Sequence, residues 1–248
     1  MQRYFTSCSD NNISISEDDI FHILKVMRMK KADRFEINND GDIFVAEITS
    51  TSPFLFKIVD KLEQNHELGK KITLLYCLPK GDKIDAVLQK ATELGVYKIV
   101  LVNSSRTIAK IIPENKEKKF FRFNKIIKEA AEQCKRNIKP ICDEIIDFKN
   151  ICDYKSDLNF IAYENADQKL MDLHNKLKSS DYQSVSVLIG AEGGFSKEEV
   201  DLAVKYGFDI ISLGSRILRS ETSVFYLLSV LGYEIERLWK KKNLYLNY

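Results

Sequence analysis

The stretch Val185-Ser186-Val187-Leu188-Ile189-Gly190-Ala191-Glu192-Gly193-Gly194-Phe195-Ser196-Lys197-Glu198-Glu199 changes character twice. A short apolar, β-branched run reads as a buried strand. Glycines follow at once. Ser196 then precedes Glu199 by three residues, a capping box that opens a helix. Twenty residues on, Ile210-Ile211-Ser212-Leu213 runs into Gly214-Ser215-Arg216 in the same way. The chain has 10 glycines in 248 residues, and five of them are Gly190, Gly193, Gly194, Gly207 and Gly214. Gly207 reads as an ordinary cap after Tyr206. The other four follow strand ends, where missing side chains let backbone approach a ligand at the carboxyl edge of an α/β sheet. No Gly-Lys-Ser/Thr follows, so this is not a phosphate loop, and the spacing is not G-x-G-x-x-G. A pair of tight turns without a ligand is the plain alternative. A shared pocket for an adenosine-type ligand, held by backbone groups, is the reading that uses both loops.

Working outward, strands alternate with helices on both sides of this stretch. Ile72–Leu78, Lys98–Val102, Leu158–Tyr163, Val185–Ile189 and Asp209–Leu213 read as strands. Asp82–Leu94, about Glu114 to Asn137 (closed by Pro140), Ser196–Tyr206 and Ser220–Lys241 read as helices. Gly95 caps the first of these helices. This alternation predicts an α/β fold with a mainly parallel sheet. Before Leu68-Gly69-Lys70-Lys71 the pattern differs. A capping box at Ser16 and Asp19 opens a helix through Ile20, Phe21, Ile23, Leu24 and Met27. Short alternating runs follow at Arg34–Ile37, Ile43–Ile48 and Phe54–Ile58, with a turn at Asn39-Asp40-Gly41. That region, residues 1–70, predicts a small β-barrel, and residues 71–248 a second domain.

Composition narrows the function classes. Hydrophobic residues make up 44% and charged residues 30%, enough for an ordinary core. No apolar run approaches the ~18 residues that span a bilayer. The start, MQRYFTSCSD, has no apolar signal region. Cys8, Cys77, Cys134, Cys142 and Cys152 are odd in number and form no C-x-x-C pair, which argues against a disulfide framework or zinc site and for a reducing cytosol. His22, His66 and His174 lie far apart, so no metal is expected. The net charge is only +2, but Lys110–Lys139 holds ten basic residues against four acidic ones. On its helix Phe123, Ile126, Ile127, Ala130 and Cys134 form the apolar stripe, leaving Arg122, Lys125, Lys128, Lys135 and Arg136 on other faces. Lys25, Arg28, Lys30, Lys31 and Arg34 make a second cluster. Such clusters suit phosphate binding, although a solvated charged face is the common alternative. The last helix has Val224, Leu227, Leu228, Leu231, Ile235 and Leu238 at helical spacing, a core or dimer face.

Ile189–Ser196 with Glu198-Glu199, and Leu213-Gly214-Ser215-Arg216-Ile217-Leu218-Arg219-Ser220-Glu221-Thr222, together resemble the signature of the bacterial 16S ribosomal RNA uridine-N3 methyltransferases of the SPOUT superfamily. The family usually has proline where this chain has Ala191, and often threonine at Ser220. Leu78–Lys83 with Gln89–Val96, Ser104-Ser105-Arg106, Glu129–Arg136 and His22–Arg28 are similar to further family motifs in the same order. There the family tends to have a small residue where this chain has Lys135. The likeness covers nearly the whole chain.

The resemblance implies a SPOUT domain with a carboxy-terminal trefoil knot, a PUA-like amino-terminal RNA-binding barrel, and a cytoplasmic homodimer with the cofactor near its interface. It implies methyl transfer from S-adenosylmethionine to N3 of a uridine in 16S ribosomal RNA within the 30S subunit, with no membrane and no metal. The cofactor would rest against Ile189, Gly190, Gly193, Gly194, Leu213, Gly214, Ile217 and Leu218, with Tyr163 and Glu164 as further lining. N3 of uracil must lose a proton before it attacks, so a base or a cation is needed. Arg219 and Glu221 are the catalytic candidates. Glu221 also suits the helix dipole at the start of its helix, and that role is weighed above the base role. Lys25, Arg28, Arg106 and Arg136 are the RNA-binding candidates. A SPOUT enzyme acting on transfer RNA or 23S ribosomal RNA, and a catalytically silent RNA-binding protein, stand as alternatives.

Overall fold

The computed structural model describes residues 1–9, 12–81, 83–107, 113–163, 170–179 and 181–244. The chain forms two compact units, residues 1–67 with 128–139, and residues 68–127 with 140–248.

In the first unit, β1 (Arg3–Ser9) and β2 (Asn12–Ser14) precede α1 (Glu17–Phe21), which continues through a wider helical turn over His22–Val26. Then come β3 (Arg34–Asn39), β4 (Asp42–Thr51) and β5 (Phe54–Leu62). The sheet order is β2-β1-β3-β4-β5, with β1 parallel to β3 and the other pairs antiparallel. Ser16 caps α1 by accepting from the Asp19 N–H at 3.2 Å. Asp40 and Gly41, at φ 51° and 98°, make the two-residue turn between β3 and β4. Both central residues of such a turn need positive φ, which is why the Asn-Asp-Gly sequence was legible. Tyr4, Ile23, Phe35, Ile37, Ala46 and Ile48 form the core. Sequence periodicity passed over β1, because its Arg3 is buried. A buried guanidinium needs a counter-charge, and Glu36 supplies one at 2.9 Å.

In the second unit, β6 (Lys71–Cys77) leads to α2 (Lys83–Glu93) and β7 (Lys98–Asn103). After α3 (Lys116–Gln133) come β8 (Ile145–Asp147), a short 3-10 segment at Phe148–Tyr154, and β9 (Leu158–Ala162). Then follow α4 (Leu170–Ser179), β10 (Ser184–Ile189), α5 (Lys197–Lys205), β11 (Asp209–Ile211) and α6 (Ser220–Leu244). The sheet order is β11-β9-β10-β6-β7-β8, parallel throughout. Ile72, Leu74 and Tyr76 face one core, while Leu75 and Cys77 face another, so the strand is apolar on both sides. β8 and α4 were not read from sequence. One is only three residues long, and the other has Leu173 and Leu177 alone buried among its described side chains. The predicted helix start at Asp82 lies outside the described residues.

Three helix ends share one device. After α2, Val96 N–H reaches Ala91 O at 3.0 Å around Gly95 at φ 88°. After α5, Phe208 N–H reaches Ala203 O at 3.0 Å around Gly207 at φ 88°. After α3, Arg136 N–H reaches Ala131 O at 2.9 Å around Lys135 at φ 64°. These are Schellman caps with a left-handed residue past the end. They end α3 at Gln133, earlier than the predicted Asn137. They also give the physical reason a small residue suits position 135. No helix among the described residues is long and apolar enough to cross a membrane.

Candidate active site

Because β9, β10 and β11 are parallel neighbours, their carboxyl ends open on one edge of the sheet. A cavity of about 460 Å³ lies there. Ile189, Gly190, Gly193 and Gly194 line it from the loop after β10. Leu213, Gly214, Ile217, Leu218 and Arg219 line it from the loop between β11 and α6. Tyr163 contributes from the end of β9, whereas Glu164 lies outside the described residues. All eight cofactor candidates and Arg219 therefore share one wall system.

The glycines are explained by local contacts. A Cβ on Gly190 would stand 3.2 Å from Gly194 Cα, closer than ordinary contact. One on Gly193 would stand 3.1 Å from Arg106 Cβ. Gly194 and Gly214 adopt φ 62° and 105°. The close approach at Gly190 and Gly193 is thus to the chain itself, which packs the loop tightly around the cavity. Ala191 is buried with Phe195 beneath the loop, so burial holds this position where the resembling family has proline.

Two loops support this wall. Ser196 caps α5 by accepting from the Glu199 N–H at 3.3 Å, and Glu199 Oε2 accepts from the Ser196 N–H at 2.9 Å, the capping box read from sequence. Glu199 Oε1 accepts from the Ser105 N–H at 2.6 Å. Arg106 then donates from Nη1 to Gly193 O at 2.9 Å. Arg106 is exposed beside the glycine loop but does not line the cavity itself.

The charged groups divide. Arg219 is exposed on the cavity wall and forms no ion pair among the described residues. Glu221 is not on that wall. Its Oε2 stands 3.6 Å from Lys83 Nζ, which also meets Glu192 Oε1 at 2.8 Å. Lys83 and Glu192 both line the cavity. Burial pushes the Glu192 carboxyl up, but the Lys83 ammonium and the backbone N–H groups, Lys80 among them, outweigh it and hold it below the usual carboxylate range. Lys83 and Glu192 fall within the family-like motifs, but no local feature marks either as part of the site. Their pairing spans more than a hundred residues, and no local spacing signals it.

The RNA-binding candidates fare unequally. Lys25 and Arg28 are exposed beside Phe21, Val26 and Met27, which are exposed too. Arg136 is 3% exposed, and its Nε donates to both Glu67 oxygens at 3.0 and 3.1 Å. The structure therefore corrects the expectation for Arg136. It braces residues 64–67 against the turn after α3 rather than offering charge at the surface. Of the basic run, Arg122, Lys128 and Lys135 are likewise paired, with Asp85, with Asp19 and Glu132, and with Glu36. Lys110 lies outside the described residues.

An RNA methyltransferase domain matches residues 66–232, and an RNA methyltransferase PUA domain matches residues 15–59. The ribosomal RNA small subunit methyltransferase E of Bacillus subtilis is 33% identical over 252 residues, covering 96% of this chain and 98% of that protein. The chain belongs to this family of RNA methyltransferases. A Legionella pneumophila protein solved with bound S-adenosylmethionine superposes with a TM-score of 0.83 at 31% identity, over 92% of this chain and 96% of that one. A Neisseria gonorrhoeae ribosomal RNA small subunit methyltransferase E bound to S-adenosylmethionine gives 0.80 at 27% identity, over 93% and 96%.

Proposed function

We propose that this protein transfers a methyl group from S-adenosylmethionine to N3 of one uridine in 16S ribosomal RNA. The observation that carries this reading is the cavity between the two glycine-bearing loops, with all eight cofactor candidates on its wall.

The cavity suits the cofactor. Its volume of about 460 Å³ falls in the usual small-molecule range. Ile189, Leu213 and Leu218 offer apolar walls for an adenine, and the glycine loops offer backbone groups without a bulky side chain between. When bound, S-adenosylmethionine supplies the methyl group on a sulfonium that needs no further activation. The chain's residues position the partners and manage charge. Arg219, an exposed cation on the cavity wall, would favour the uracil anion formed when N3 loses its proton to solvent. Glu221 turns toward Lys83, which favours the helix-start role over that of a base.

Residues 1–70 are the proposed PUA-like RNA-binding barrel and residues 71–248 the methyltransferase domain, with a trefoil knot at its carboxy end. The Ser220 hydroxyl at the start of α6 donates to Gly190 O at 2.6 Å, tying the chain after β11 to the loop after β10. RNA contact is proposed at Lys25, Arg28 and Arg106. The exposed Phe21 beside the first two would stack a base while the cations meet phosphates. The proposed working form is a cytoplasmic homodimer acting on the 30S subunit. Ile217, 90% exposed on the cavity rim, is an apolar side chain that a second subunit would cover.

The test is mass spectrometry of 16S ribosomal RNA from a strain lacking the gene, with and without its restoration. Loss and recovery of 3-methyluridine at one position is the expected result. A different methylated nucleotide would move the substrate to another base or RNA. No change in any RNA modification would favour a silent RNA-binding protein. Purified protein should also melt at a higher temperature with saturating S-adenosylmethionine.

A further inference from the structure

The first turn of α6 is fastened to the glycine loop in two places. The inner fastening is neutral. Ser220 is 7% exposed, and its Oγ lies 2.6 Å from Gly190 O and 3.1 Å from the fully buried Tyr76 hydroxyl. Serine has one proton to give. It goes to the carbonyl at the shorter distance, so Tyr76 donates in the second bond.

The outer fastening is charged and rests on one side chain. Lys83 Nζ, at the start of α2, stands 2.8 Å from Glu192 Oε1 on the glycine loop and 3.6 Å from Glu221 Oε2 on α6. The Lys80 N–H donates to both Glu192 oxygens at 3.2 and 3.3 Å, so the same segment grips the loop twice. Glu221 Oε2 is shut off from solvent and accepts no hydrogen bond among the described residues. Without Lys83, two carboxylates would face each other beside the cavity with no cation between them, and like charges so placed move apart.

We propose that Lys83 is a positioning residue for methyl transfer, joining Glu192 of the glycine loop to Glu221 of α6 so that loop and helix hold the cavity and Arg219 in one arrangement. This rests on the methyltransferase reading above. Lys83 contacts the two glutamates and acts through them. Its side chain is 36% exposed, and ion pairs this open contribute little to global stability. Its loss should therefore appear in cofactor binding and turnover while the melting temperature stays put.

The experiment is steady-state methylation of small subunits from a strain lacking the gene, with calorimetry of S-adenosylmethionine binding. It compares the wild type with Lys83→Met, Lys83→Arg, Glu221→Gln and the Lys83→Met/Glu221→Gln double variant. Lys83→Met should raise KM for S-adenosylmethionine about tenfold at an unchanged melting temperature. Lys83→Arg should recover most of that loss. The double variant should be no worse than Lys83→Met alone, because both remove the same link. Wild-type KM and kcat in Lys83→Met would overturn the proposal. So would full multiplication of the two single losses in the double variant. If Lys83→Met fails to fold, Glu221→Gln decides: a raised KM supports the clamp and wild-type kinetics refute it. A wild type that neither binds S-adenosylmethionine nor methylates subunits sinks the methyltransferase reading, and this inference with it. An active wild type with an indifferent Lys83→Met sinks this inference alone.

Discussion

Arg219 and Gly193 mark the two sides of the cavity, and each carries a prediction at the scale of one side chain. Arg219 is the exposed cation on the wall, with no ion-pair partner among the described residues. Arg219→Ala should lower single-turnover methylation by about a hundredfold, the usual cost of losing one group aimed at developing charge. Cofactor affinity and oligomeric state should hold. Full activity would remove Arg219 from the site. Gly193→Val acts through Arg106, whose Cβ would be 3.1 Å from the new Cβ. The loop must shift, at a cost of about 1–3 kcal/mol for overpacking, and cofactor binding should weaken by calorimetry. Unchanged binding would refute the loop's placement at the cofactor. Both residues were picked from sequence. The crowding that a side chain at position 193 would meet was not legible there, because Arg106 lies 87 positions away.

At the scale of elements, α5 illustrates how local and distant signals combine. Ser196 and Glu199 announce a capping box within four residues. The second Glu199 oxygen accepts from the Ser105 N–H, and that bond ties the loop after β7 to the start of α5. Glu199→Ala should cost about 1–3 kcal/mol in urea unfolding, since it strands two backbone donors, more than a cap alone. A loss confined to a few tenths would mean that water replaces both bonds. The end of α3 teaches the converse. Its apolar stripe was legible, but the stop at Gln133 depends on Lys135 adopting φ 64°. A lysine gives no hint of that conformation, as Gly95 and Gly207 do for theirs.

At the scale of the whole molecule, the chain divides into two compact units that sequence order does not respect. Residues 128–139 belong with residues 1–67. Asn38, Glu67, Arg136 and Asn137 hold that segment in the first unit by hydrogen bonds to its backbone and side chains. Glu36 joins Arg3 and Lys135 in the same unit. Burial pushes the Glu36 carboxyl up, but Lys135 and Arg3 outweigh it and leave it below the ordinary range. A carboxyl depressed in the folded state stabilises above its unfolded value of about 4.3 and loses that contribution as pH falls through the folded value. Glu36→Gln should therefore lower the urea midpoint at pH 7, and the gap to wild type should narrow below about pH 4. A gap that stays constant with pH would remove Glu36 from the acid response.

By itself, the sequence determined the alternation of strands and helices, the strand-to-glycine junctions and the capping box. Each depends on residues within a few positions of one another. It also marked the cavity wall, because glycines at strand ends carry their meaning locally. Only the tertiary structure decided which charges are available. Arg136 reads from sequence as an RNA contact, yet Glu67 encloses it, and Glu221, read first as a helix-start acid and only second as a base, faces Lys83. Whether a charge meets solvent, substrate or a counter-charge depends on groups brought together across the fold, and pairs 69 to 138 residues apart leave no local trace.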